Sequence, residues 1–466
     1  MNILFVTSAA PANSPFFTDE KRPPLGVGSL IALARQEGHT VHFLDNYLNP
    51  SGFPSGGYLE KHHIDVVGIH VNTICFRDSL RMFKELELLR RASRWEGKIL
   101  AGGPHASVAP ETIPGYVDHV VQGEGENVLL DILNGKQLPR IVRGQRLDNL
   151  DVLPFQPWDI FASLPYHWTC GWMDVDSVFT MNTSRGCPFN CAFCSVQSVW
   201  GSRYTYQTAE RAIAEMEYLI RDYGAKGFYF REDHFTLNRK RTEEFCNQLL
   251  RKGIRTPWAC ETRVDCMSED LIRLMSAAGC AAVYLGVESG SQRVLDLLNK
   301  GITVGQIENT VQWCKKYGIK TYCSLIVGVP GENFEDYLET RALMERLKPD
   351  SYAFNVFVGV PTSPLYEEIM RERSYEYVDD VGLAYMPGFD CKAWAFYNTD
   401  SRNLVDHNFR KRTEFDRRLL PLIRRQKRRA TYQKIISVLP GPISNTLRWI
   451  RKVMPVRPTK SPESRS

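Results

Sequence analysis

The stretch SVFTMNTSRGCPFNCAFC, residues 177–194, places three cysteines directly behind a short apolar run. The β-branched and aromatic residues of that run favour a buried strand. The glycine, proline and asparagine that follow favour a loop. Parallel α/β folds bind ligands at the carboxyl ends of their strands. We therefore expect Cys187, Cys191 and Cys194 to form a site in the loop after a strand.

The residues downstream of this loop alternate between strand and helix patterns. A helix over 208–223 is expected to begin with Thr208 as its N-cap and to end at Gly224. Further strands are predicted at 227–230, 258–261, 282–287, 321–327 and 351–357, and further helices near 239–252, 269–278, 304–317 and 333–347. With the strand at 177–183 this makes six strands. The pattern predicts a partial (β/α)6 barrel with its chemistry at the carboxyl ends of the strands.

The first 145 residues carry another alternating pattern. Strands are predicted at 2–6, 41–44, 65–69, 98–101 and 119–121, with a helix near 25–37 that ends at Gly38. Such alternation predicts an α/β, doubly wound, Rossmann-like parallel sheet. We therefore expect a Rossmann-like domain at 1–145, a linker at 146–177, a barrel at 178–375, and a C-terminal extension with a basic helical tail at 376–466. The linker aromatics at 155–172 are expected to pack in a core or to roof a substrate cavity.

The composition is that of a soluble globular protein, with 43% apolar and 24% charged residues in 466. No apolar run reaches the roughly eighteen residues that a membrane span needs. MNILFVTSAA has no charged region before its apolar part, which favours a buried first strand over a signal peptide. Twelve cysteines are too sparse for a secreted disulfide scaffold. Their clustering at 187–194 indicates a reducing cytoplasm and a bound metal.

The cysteine spacing discriminates between kinds of metal site. A zinc site needs a fourth ligand, and no cysteine or histidine follows Cys194 until His234. A bacterial ferredoxin run also carries a fourth cysteine. A structural metal finger is nevertheless the competing interpretation. Four other cysteines of the barrel region lack ligand spacing and are expected in the core: Cys246, Cys260, Cys266 and Cys280.

The pattern C-x3-C-x-aromatic-C, with Phe193 as the aromatic residue, resembles the radical S-adenosylmethionine (SAM) superfamily. The resemblance implies that Cys187, Cys191 and Cys194 hold three irons of a 4Fe–4S cluster and that SAM binds the fourth. It also implies reductive cleavage of SAM to a 5′-deoxyadenosyl radical that abstracts a hydrogen atom from an unactivated carbon. An open coordination position is what allows such a metal centre to bind and activate a co-substrate.

The same resemblance assigns SAM-binding residues along the barrel. FREDHF, 230–235, takes the place of the family's Gly-Gly-Glu run, which binds the SAM amino group. ETRVD (261–265), LGVESGSQRVLDLLNKG (285–301) and SLIVGVPGE (324–332) also look like the family. In this resemblance Arg263 faces the SAM carboxylate and Glu288 faces the ribose or amino group. The implied residues are Phe193, Glu232, Asp233, Arg263, Glu288, Ile326 and Gly328.

The N-terminal domain resembles the cobalamin-binding domain of one large radical SAM subclass. The resemblance rests on RPPLGVGSLIALARQEGHTV (22–41), GGPHAS (102–107) and QGEGE (122–126). It implies that cobalamin lies over the strand ends and that glycine-rich turns bury its nucleotide tail. The implied cobalamin-binding residues are Asp45, Tyr47, Asn72, Thr73, Gly102, Gly103, Pro104, His105, Gly123 and Glu124, of which His105 is expected only to line the site.

The ligand below cobalt is a separate question. In many cobalamin domains the histidine of a D-x-H-x-x-G motif binds cobalt, but residues 45–50 read Asp-Asn-Tyr-Leu-Asn-Pro. Tyr47 stands where the histidine would be, so the resemblance implies cobalamin with no histidine below cobalt. The alternative is a domain that has lost its cofactor and only packs on the barrel.

The charge is uneven along the chain. The whole chain carries +5, whereas residues 410–466 hold 17 Lys+Arg and 3 Asp+Glu, a net +14. Residues 448–453, RWIRKV, place apolar side chains beside basic ones, a pattern that suits peripheral contact with the inner membrane face. A solvated basic arm is the alternative. No nucleic-acid partner is expected, because no RNA-binding module is visible and residues 1–180 hold only Cys75 and Cys170, without the three extra cysteines of tRNA-methylthiolating relatives.

These features together predict a cytoplasmic, cobalamin-dependent radical SAM enzyme that methylates an unactivated carbon of a small-molecule or lipid substrate. Its cofactors would be a 4Fe–4S cluster, SAM and cobalamin, and its partner an external one-electron reductant similar to flavodoxin or ferredoxin. An oxidative cyclase of the anaerobic Mg-protoporphyrin ester cyclase type is the first alternative. A non-catalytic Fe–S electron carrier or cobalamin-binding protein is the second, and it would not cleave SAM.

Overall fold

The computed structural model describes residues 1–9, 20–49, 56–375, 377–378 and 382–385. Two parallel sheets lie within these residues and belong to one compact unit. The basic segment 410–466, on which the membrane interpretation rests, lies outside the described residues. Among the described helices, none is both long enough and apolar enough to cross a membrane.

The first sheet is built from the predicted N-terminal strands and one more. Its strands are β1 (Asn2–Thr7), β2 (Thr40–Asp45), β3 (Val66–His70), β4 (Lys98–Gly102), β5 (His119–Gln122) and β6 (Ile141–Arg143). They pair in parallel in the order β2-β1-β3-β4-β5-β6. This confirms the doubly wound sheet. β6 was not predicted, because it is a short edge strand whose side chains are largely exposed.

The second sheet contains the six predicted barrel strands. They are β7 (Val178–Met181), β8 (Gly227–Phe230), β9 (Trp258–Thr262), β10 (Cys280–Glu288), β11 (Lys320–Val327) and β12 (Ser351–Val356). All pair in parallel in chain order, with β7 and β12 as the two edges. The predicted partial barrel is therefore confirmed. Its carboxyl ends form one rim, and the cysteine loop leaves that rim from β7.

The helices cover the outer faces of both sheets. Their bounds are α1 (Leu25–Gln36), α2 (Gly56–Lys61), α3 (Phe76–Arg91), α4 (Pro104–Val108), α5 (Glu126–Leu133), α6 (Trp158–Phe161), α7 (Val196–Trp200), α8 (Ala209–Tyr223), α9 (Arg239–Lys252), α10 (Glu269–Ala277), α11 (Gln292–Leu297), α12 (Val304–Lys316), α13 (Phe334–Leu347) and α14 (Pro364–Glu372). α8 begins and ends as predicted, since Thr208 Oγ1 accepts from Arg211 N and Gly224 adopts the left-handed conformation. The helices α2 to α7, α11 and α14 were not predicted individually. The shortest of them, such as α7 and α11, have too few turns for a periodic pattern.

The core of the barrel lies between its strands and helices. Phe230, Phe245 and Trp258 are fully buried there and pack edge to face. Cys246, Cys260 and Cys280 lie in the same core, as predicted. The same expectation is wrong for Cys266, which is partly exposed because it lies in the segment that follows β9. Because side chains alternate along a strand, Tyr229 points into the barrel between the outward-facing Phe228 and Phe230.

The linker joins the two domains through apolar packing. Trp158 and Phe161 of α6 are fully buried in the barrel core, and the Trp158 indole N–H donates to Glu215 Oε1 at 2.8 Å. Phe161 also packs edge to face on Phe43 of β2. Of the two roles weighed for these linker aromatics, core packing is the one that Trp158 and Phe161 have. The two sheets are therefore held together by a shared apolar contact.

We predict that Phe245→Ala lowers the free energy of unfolding by about 3–5 kcal/mol, since a fully buried aromatic side chain leaves a cavity. Urea unfolding followed by circular dichroism measures the change. Leu338→Ala is the control, because Leu338 is 42% exposed and its truncation should stay within about 0.5 kcal/mol. Equal unfolding midpoints for the two variants would contradict this description of the core.

Candidate active site

The cysteine loop is fixed at its centre by backbone contacts with two neighbouring segments. Ala192 N donates to Leu298 O at 2.8 Å, and Leu365 N of α14 donates to Ala192 O at 2.8 Å. The Asn299 side chain donates to Asn190 O at 2.7 Å. The loop contains almost no regular structure, so these hydrogen bonds take the place of the regular backbone bonds of a helix or sheet. They determine where the thiols lie.

The three thiols lie close to hydrogen-bond donors. Cys191 is buried and its Sγ accepts from Arg263 Nη1 at 3.3 Å, while Cys194 Sγ accepts from Val196 N at 3.5 Å. Burial raises the pKa of the Cys187 thiol, and raises that of Cys194 to about 11. In the described residues no three His, Cys, Asp or Glu side chains converge on a single ion. Three thiols that each bind a different iron of one cluster need not converge in that way, so the donor set fits a cluster.

Glu232 supports the loop and does not face an open site. It is buried at the end of β8, and its carboxylate accepts from Thr183 N at 2.7 Å and Ser184 N at 2.5 Å. Burial raises the pKa of Glu232, whereas Arg241 and these N–H groups lower it. The predicted contact of Glu232 with the SAM amino group does not match this position, since its oxygens already hold the entry to the cysteine loop.

Asp233 is the other predicted carboxylate of this segment, and it is exposed. Gly186 N, next to Cys187, donates to Asp233 Oδ2 at 3.1 Å. The two neighbours Glu232 and Asp233 therefore have different positions: one is turned inward under the loop, and the other lies beside it at the rim. Asp233 is the carboxylate that remains accessible to a bound co-substrate.

His234 is a site residue that the sequence interpretation missed. It is fully buried, and neither ring nitrogen has a hydrogen-bond partner within the described part of the chain. Its ring stacks on Phe189 of the cysteine loop at 5.9 Å between centroids. Burial, together with Arg263 and Lys300, lowers its pKa to about 3, so the imidazole is neutral. A neutral imidazole keeps one N–H donor, and a buried donor without a partner costs about 1–3 kcal/mol. This orphaned group fits a site that is completed by a bound molecule.

Arg263 lies directly beside the cysteine loop. Its guanidinium pairs with Asp265 at 2.9 and 3.0 Å, donates to Lys300 O at 2.5 Å, and donates to Cys191 Sγ. It also lies 3.7 Å from the centre of the Phe189 ring. These N–H groups support the cysteine loop, because Asp265 two residues later holds the guanidinium there. That Arg263 faces the SAM carboxylate stays a prediction.

Glu288 ends β10 in a strained conformation. Its φ of +64° is left-handed, and the pairing with β11 shifts register between Gly286 and Glu288. Lys300 Nζ donates to Glu288 Oε1 at 2.7 Å, with both side chains buried. A Cβ at Gly286 would lie 2.7 Å from that carboxylate oxygen and 2.8 Å from Lys300 Nζ, so a larger residue there would displace the ion pair. Strain of this kind is frequent at functional sites, which agrees with the predicted role of Glu288.

The remaining predicted SAM residues lie together on the far side of the loop. Phe193 and Ile326 pack in one apolar cluster, and Lys300 Nζ lies 5.8 Å from the centre of the Phe193 ring. Gly328 has a φ of +76°, and its N–H donates to Glu332 Oε2 at 2.5 Å. Burial raises the pKa of Glu332 to about 7. Phe193 and Ile326 thus pack against the same apolar cluster, and their contact with SAM stays a prediction.

Aromatic side chains form the floor of the barrel interior. The Tyr284 and Tyr322 rings stack at 4.6 Å, and Trp172 of the linker lies over both at 5.9 and 5.5 Å. Tyr229 donates its hydroxyl to Glu261, which is partly exposed. Trp172 is one of the linker aromatics expected to pack in a core or to roof a substrate cavity. The tyrosines were not recognised in the sequence, although alternate positions of the barrel strands would have indicated them.

A cavity of about 300 Å³ lies at the carboxyl ends of the first sheet. The predicted residues that line it are Gly102, Gly103, Pro104, Gly123 and Glu124, and apolar side chains such as Phe5, Leu30, Ile69 and Leu100 form most of the rest. Gly103 has a φ of +106°, and a Cβ there would lie 2.9 Å from Val71 O. A cavity with apolar walls and glycine backbone at its edge fits the nucleotide tail of cobalamin.

The other predicted cobalamin residues do not line this cavity: Asp45, Tyr47, Asn72, Thr73 and His105. The Asp45 carboxylate accepts from Thr7 Oγ1, Tyr47 N and the Tyr166 hydroxyl. The His105 ring nitrogens bond the hydroxyls of Thr73 at 3.1 Å and Thr112 at 3.0 Å. The Asn72 side chain accepts from Ile74 N. These polar groups satisfy one another within the loops, so the expectation that His105 lines the site does not match the structure.

The sequence profile described as the radical SAM superfamily matches residues 181–344, and the profile described as a B12 binding domain matches residues 19–133. An uncharacterized methyltransferase of Pyrococcus horikoshii is 31% identical over 389 residues, which cover 77% of this chain and 83% of the relative. The anaerobic magnesium-protoporphyrin IX monomethyl ester cyclase of Cereibacter sphaeroides is 26% identical over 382 residues, which cover 74% of this chain and 60% of the relative.

A solved structure has the same two-domain fold. It is the radical S-adenosylmethionine methyltransferase TsrM of Kitasatospora setae, with cobalamin and a [4Fe-4S] cluster bound. The likeness has a TM-score of 0.66 and covers 87% of this chain and 89% of that chain, at 17% sequence identity. At this identity the likeness shows the fold.

We predict that replacing Cys187, Cys191 or Cys194 with alanine abolishes cluster binding, because three thiolates must hold three irons. Iron content and the visible absorbance of anaerobically reconstituted protein measure the loss. Cys266→Ala is the matched control, since Cys266 is a partly exposed cysteine near Cys187 and outside the loop. A loop variant that retained the iron content of the control would disprove the ligand assignment.

Proposed function

Because the chain belongs to the cobalamin-binding radical SAM enzymes, we propose that it transfers a methyl group to an unactivated carbon of a small-molecule or lipid substrate. The observation that carries the proposal is the adjacency of the two sites. Arg185, two residues before Cys187, lines the cavity of the first sheet. A radical generated at the cysteine loop would therefore arise close to a methyl carrier bound over that sheet.

When bound, the cluster would supply the electron that breaks a carbon–sulfur bond of SAM, and cobalamin would carry the methyl group. In the proposal Cys187, Cys191 and Cys194 hold the cluster. Asp233 at the rim binds the SAM amino group, and the buried pair of Glu288 and Lys300 positions its ribose. The His234 N–H, which has no partner in the described residues, donates to the bound co-substrate.

The remaining residues of both sites keep their predicted roles. Phe193, Ile326 and Gly328 line the adenine side of SAM. The backbone of Gly102, Gly103 and Gly123 approaches the nucleotide tail of cobalamin. None of these contacts requires a histidine below cobalt, and the Asp45 carboxylate is already occupied by three donors.

The barrel floor is the proposed substrate site. Trp172, Tyr284 and Tyr322 offer a flat apolar surface, and Glu261 beside them offers a carboxylate. Such a surface suits a substrate with a planar or ring-containing apolar body. An external one-electron reductant is part of this proposal. Contact of the segment 410–466 with a membrane stays a prediction.

An oxidative cyclase is the second candidate, because the cyclase of Cereibacter sphaeroides matches 74% of this chain. The two reactions differ in their products. A methylation adds one CH2 unit, whereas the oxidative cyclisation removes hydrogen or adds oxygen. A non-catalytic carrier would cleave no SAM.

We predict that reconstituted, dithionite-reduced protein converts SAM to 5′-deoxyadenosine, and that Cys191→Ala does not. Cells that express the active protein and receive methionine with a trideuterated methyl group should contain a product that carries the label. Mass spectrometry of extracts, with Cys191→Ala cells as the control, measures it. A product that differs only by lost hydrogen or gained oxygen would favour the cyclase, and no SAM cleavage at all would exclude both enzymes.

We predict that Asp233→Asn and Glu232→Gln have different effects. Loss of the charged acceptor at Asp233 removes about 1.5–3 kcal/mol of SAM binding, so KM for SAM rises about 10- to 100-fold while iron content is unchanged. Glu232→Gln weakens the loop entry, and its iron content falls. Iron analysis and the rate of 5′-deoxyadenosine formation against SAM concentration separate the two. A raised KM in Glu232→Gln together with a loss of iron in Asp233→Asn would show that the two residues have exchanged roles.

A further inference from the structure

Both ends of the cysteine loop form part of the wall of the first-sheet cavity. Arg185 precedes Cys187 by two residues, and α7 begins at Val196, two residues after Cys194. Arg185, Val199 and Trp200 all line that cavity. The residues that flank the cysteine loop on either side therefore also line the proposed cobalamin site.

Buried ion pairs hold the entry to the loop against the QGEGE segment. Arg185 pairs with Glu126 at 2.7 Å and with Glu124 at 3.3 Å, and Arg146 pairs with Glu124 at 2.9 Å. The Glu124 and Glu126 side chains are only 1% and 4% exposed. The Trp200 ring covers both guanidinium groups, at 5.4 Å from Arg146 and 5.7 Å from Arg185. We name this group of five residues the junction.

Close backbone contacts leave the junction little freedom. A Cβ at Gly144 would lie 1.6 Å from Glu124 O, and a Cβ at Gly186 would lie 2.4 Å from Arg203 O. Arg146 Nη2 donates to Arg185 O at 3.0 Å and to Arg203 O at 3.1 Å, so it holds both sides of the loop entry. A rearrangement that reaches either end of the cysteine loop therefore moves the wall of the cavity.

We propose that cluster binding at the cysteine loop and cobalamin binding in the first-sheet cavity are thermodynamically coupled through Arg185 and Trp200. Three irons joined in one cluster tie together the three cysteines between Arg185 and α7, and so restrict the loop to the conformation that completes the cavity wall. Without the cluster only a fraction of the molecules has that wall, and the apparent cobalamin affinity falls by that fraction. The proposal rests on the binding of both cofactors and does not depend on methyl transfer.

The coupling is measured with full-length protein and hydroxocobalamin by anaerobic equilibrium dialysis. The cluster-loaded protein should bind with a dissociation constant about fivefold or more below that of the chelator-treated, cluster-free protein, which is the lower end of usual coupling factors.

In Arg185→Gln the ratio of these two dissociation constants should fall towards one. Trp200→Leu is the second variant, because Arg185→Gln leaves two buried carboxylates and can impair folding. Arg90→Gln is the matched control: Arg90 pairs with Asp118 in the same domain, does not line the cavity, and should keep the ratio of the unsubstituted protein.

Linkage supplies an independent check, because cobalamin must strengthen iron retention by the same factor. Iron retained at equilibrium with a competing chelator, with and without cobalamin, measures it. A ratio near one in the unsubstituted protein overturns the coupling while leaving the methyltransferase proposal intact. A ratio that persists in both Arg185→Gln and Trp200→Leu overturns the role of the junction. Protein that binds no cobalamin in either state overturns the cavity assignment as well.

Discussion

The Glu232 carboxylate, buried at the end of β8, accepts hydrogen bonds from Thr183 N and Ser184 N, and the position of the cysteine loop depends on this contact. The loop leaves β7 with few regular backbone bonds of its own. A buried carboxylate that accepts several N–H groups satisfies donors that would otherwise be lost in the interior. Arg241 donates to Thr183 Oγ1 beside it, so a positive charge lies close to the buried carboxylate. This arrangement anchors the loop entry to the end of β8.

The charged side chains around the cysteine loop form two groups, one on each side of it. Arg263, Asp265 and Lys300 lie under the thiols, where the guanidinium contacts Cys191 Sγ and the lysine pairs with Glu288. Arg185 points the other way, toward the carboxylates of the first sheet. In both groups each buried charge has a partner of opposite sign, because an unpaired buried charge is costly. His234 differs from them, since its nitrogens have no partner in the described residues. That exception points to a site that a bound molecule completes.

The architecture was predictable to a large extent, and the site to a smaller one. The predicted strand at 227–230 and helix at 239–252 have the bounds that the structure shows. Alternation and helical periodicity are local properties of a chain, so they can be recognised without tertiary contacts. β6 and α7 were missed because short elements carry too little periodicity. Among the cobalamin residues, the glycine turns after β4 and β5 line the cavity, whereas His105 faces two threonine hydroxyls. Which way a loop side chain turns is decided by partners that lie far away in the sequence.

The sequence by itself determined that three thiols follow the first strand of a barrel, and that a second sheet with glycine turns precedes it. Residue order and spacing are enough for that. Only the tertiary structure decided that Glu232 lies inward and Asp233 outward, although they are adjacent in the chain. It also decided that Arg185 meets Glu126, a residue 59 positions away, and so joins the cysteine loop to the cavity of the first sheet. The physical reason is that burial and charge pairing depend on which groups the fold brings together, and neighbouring residues of similar chemistry do not reveal which of them will be buried.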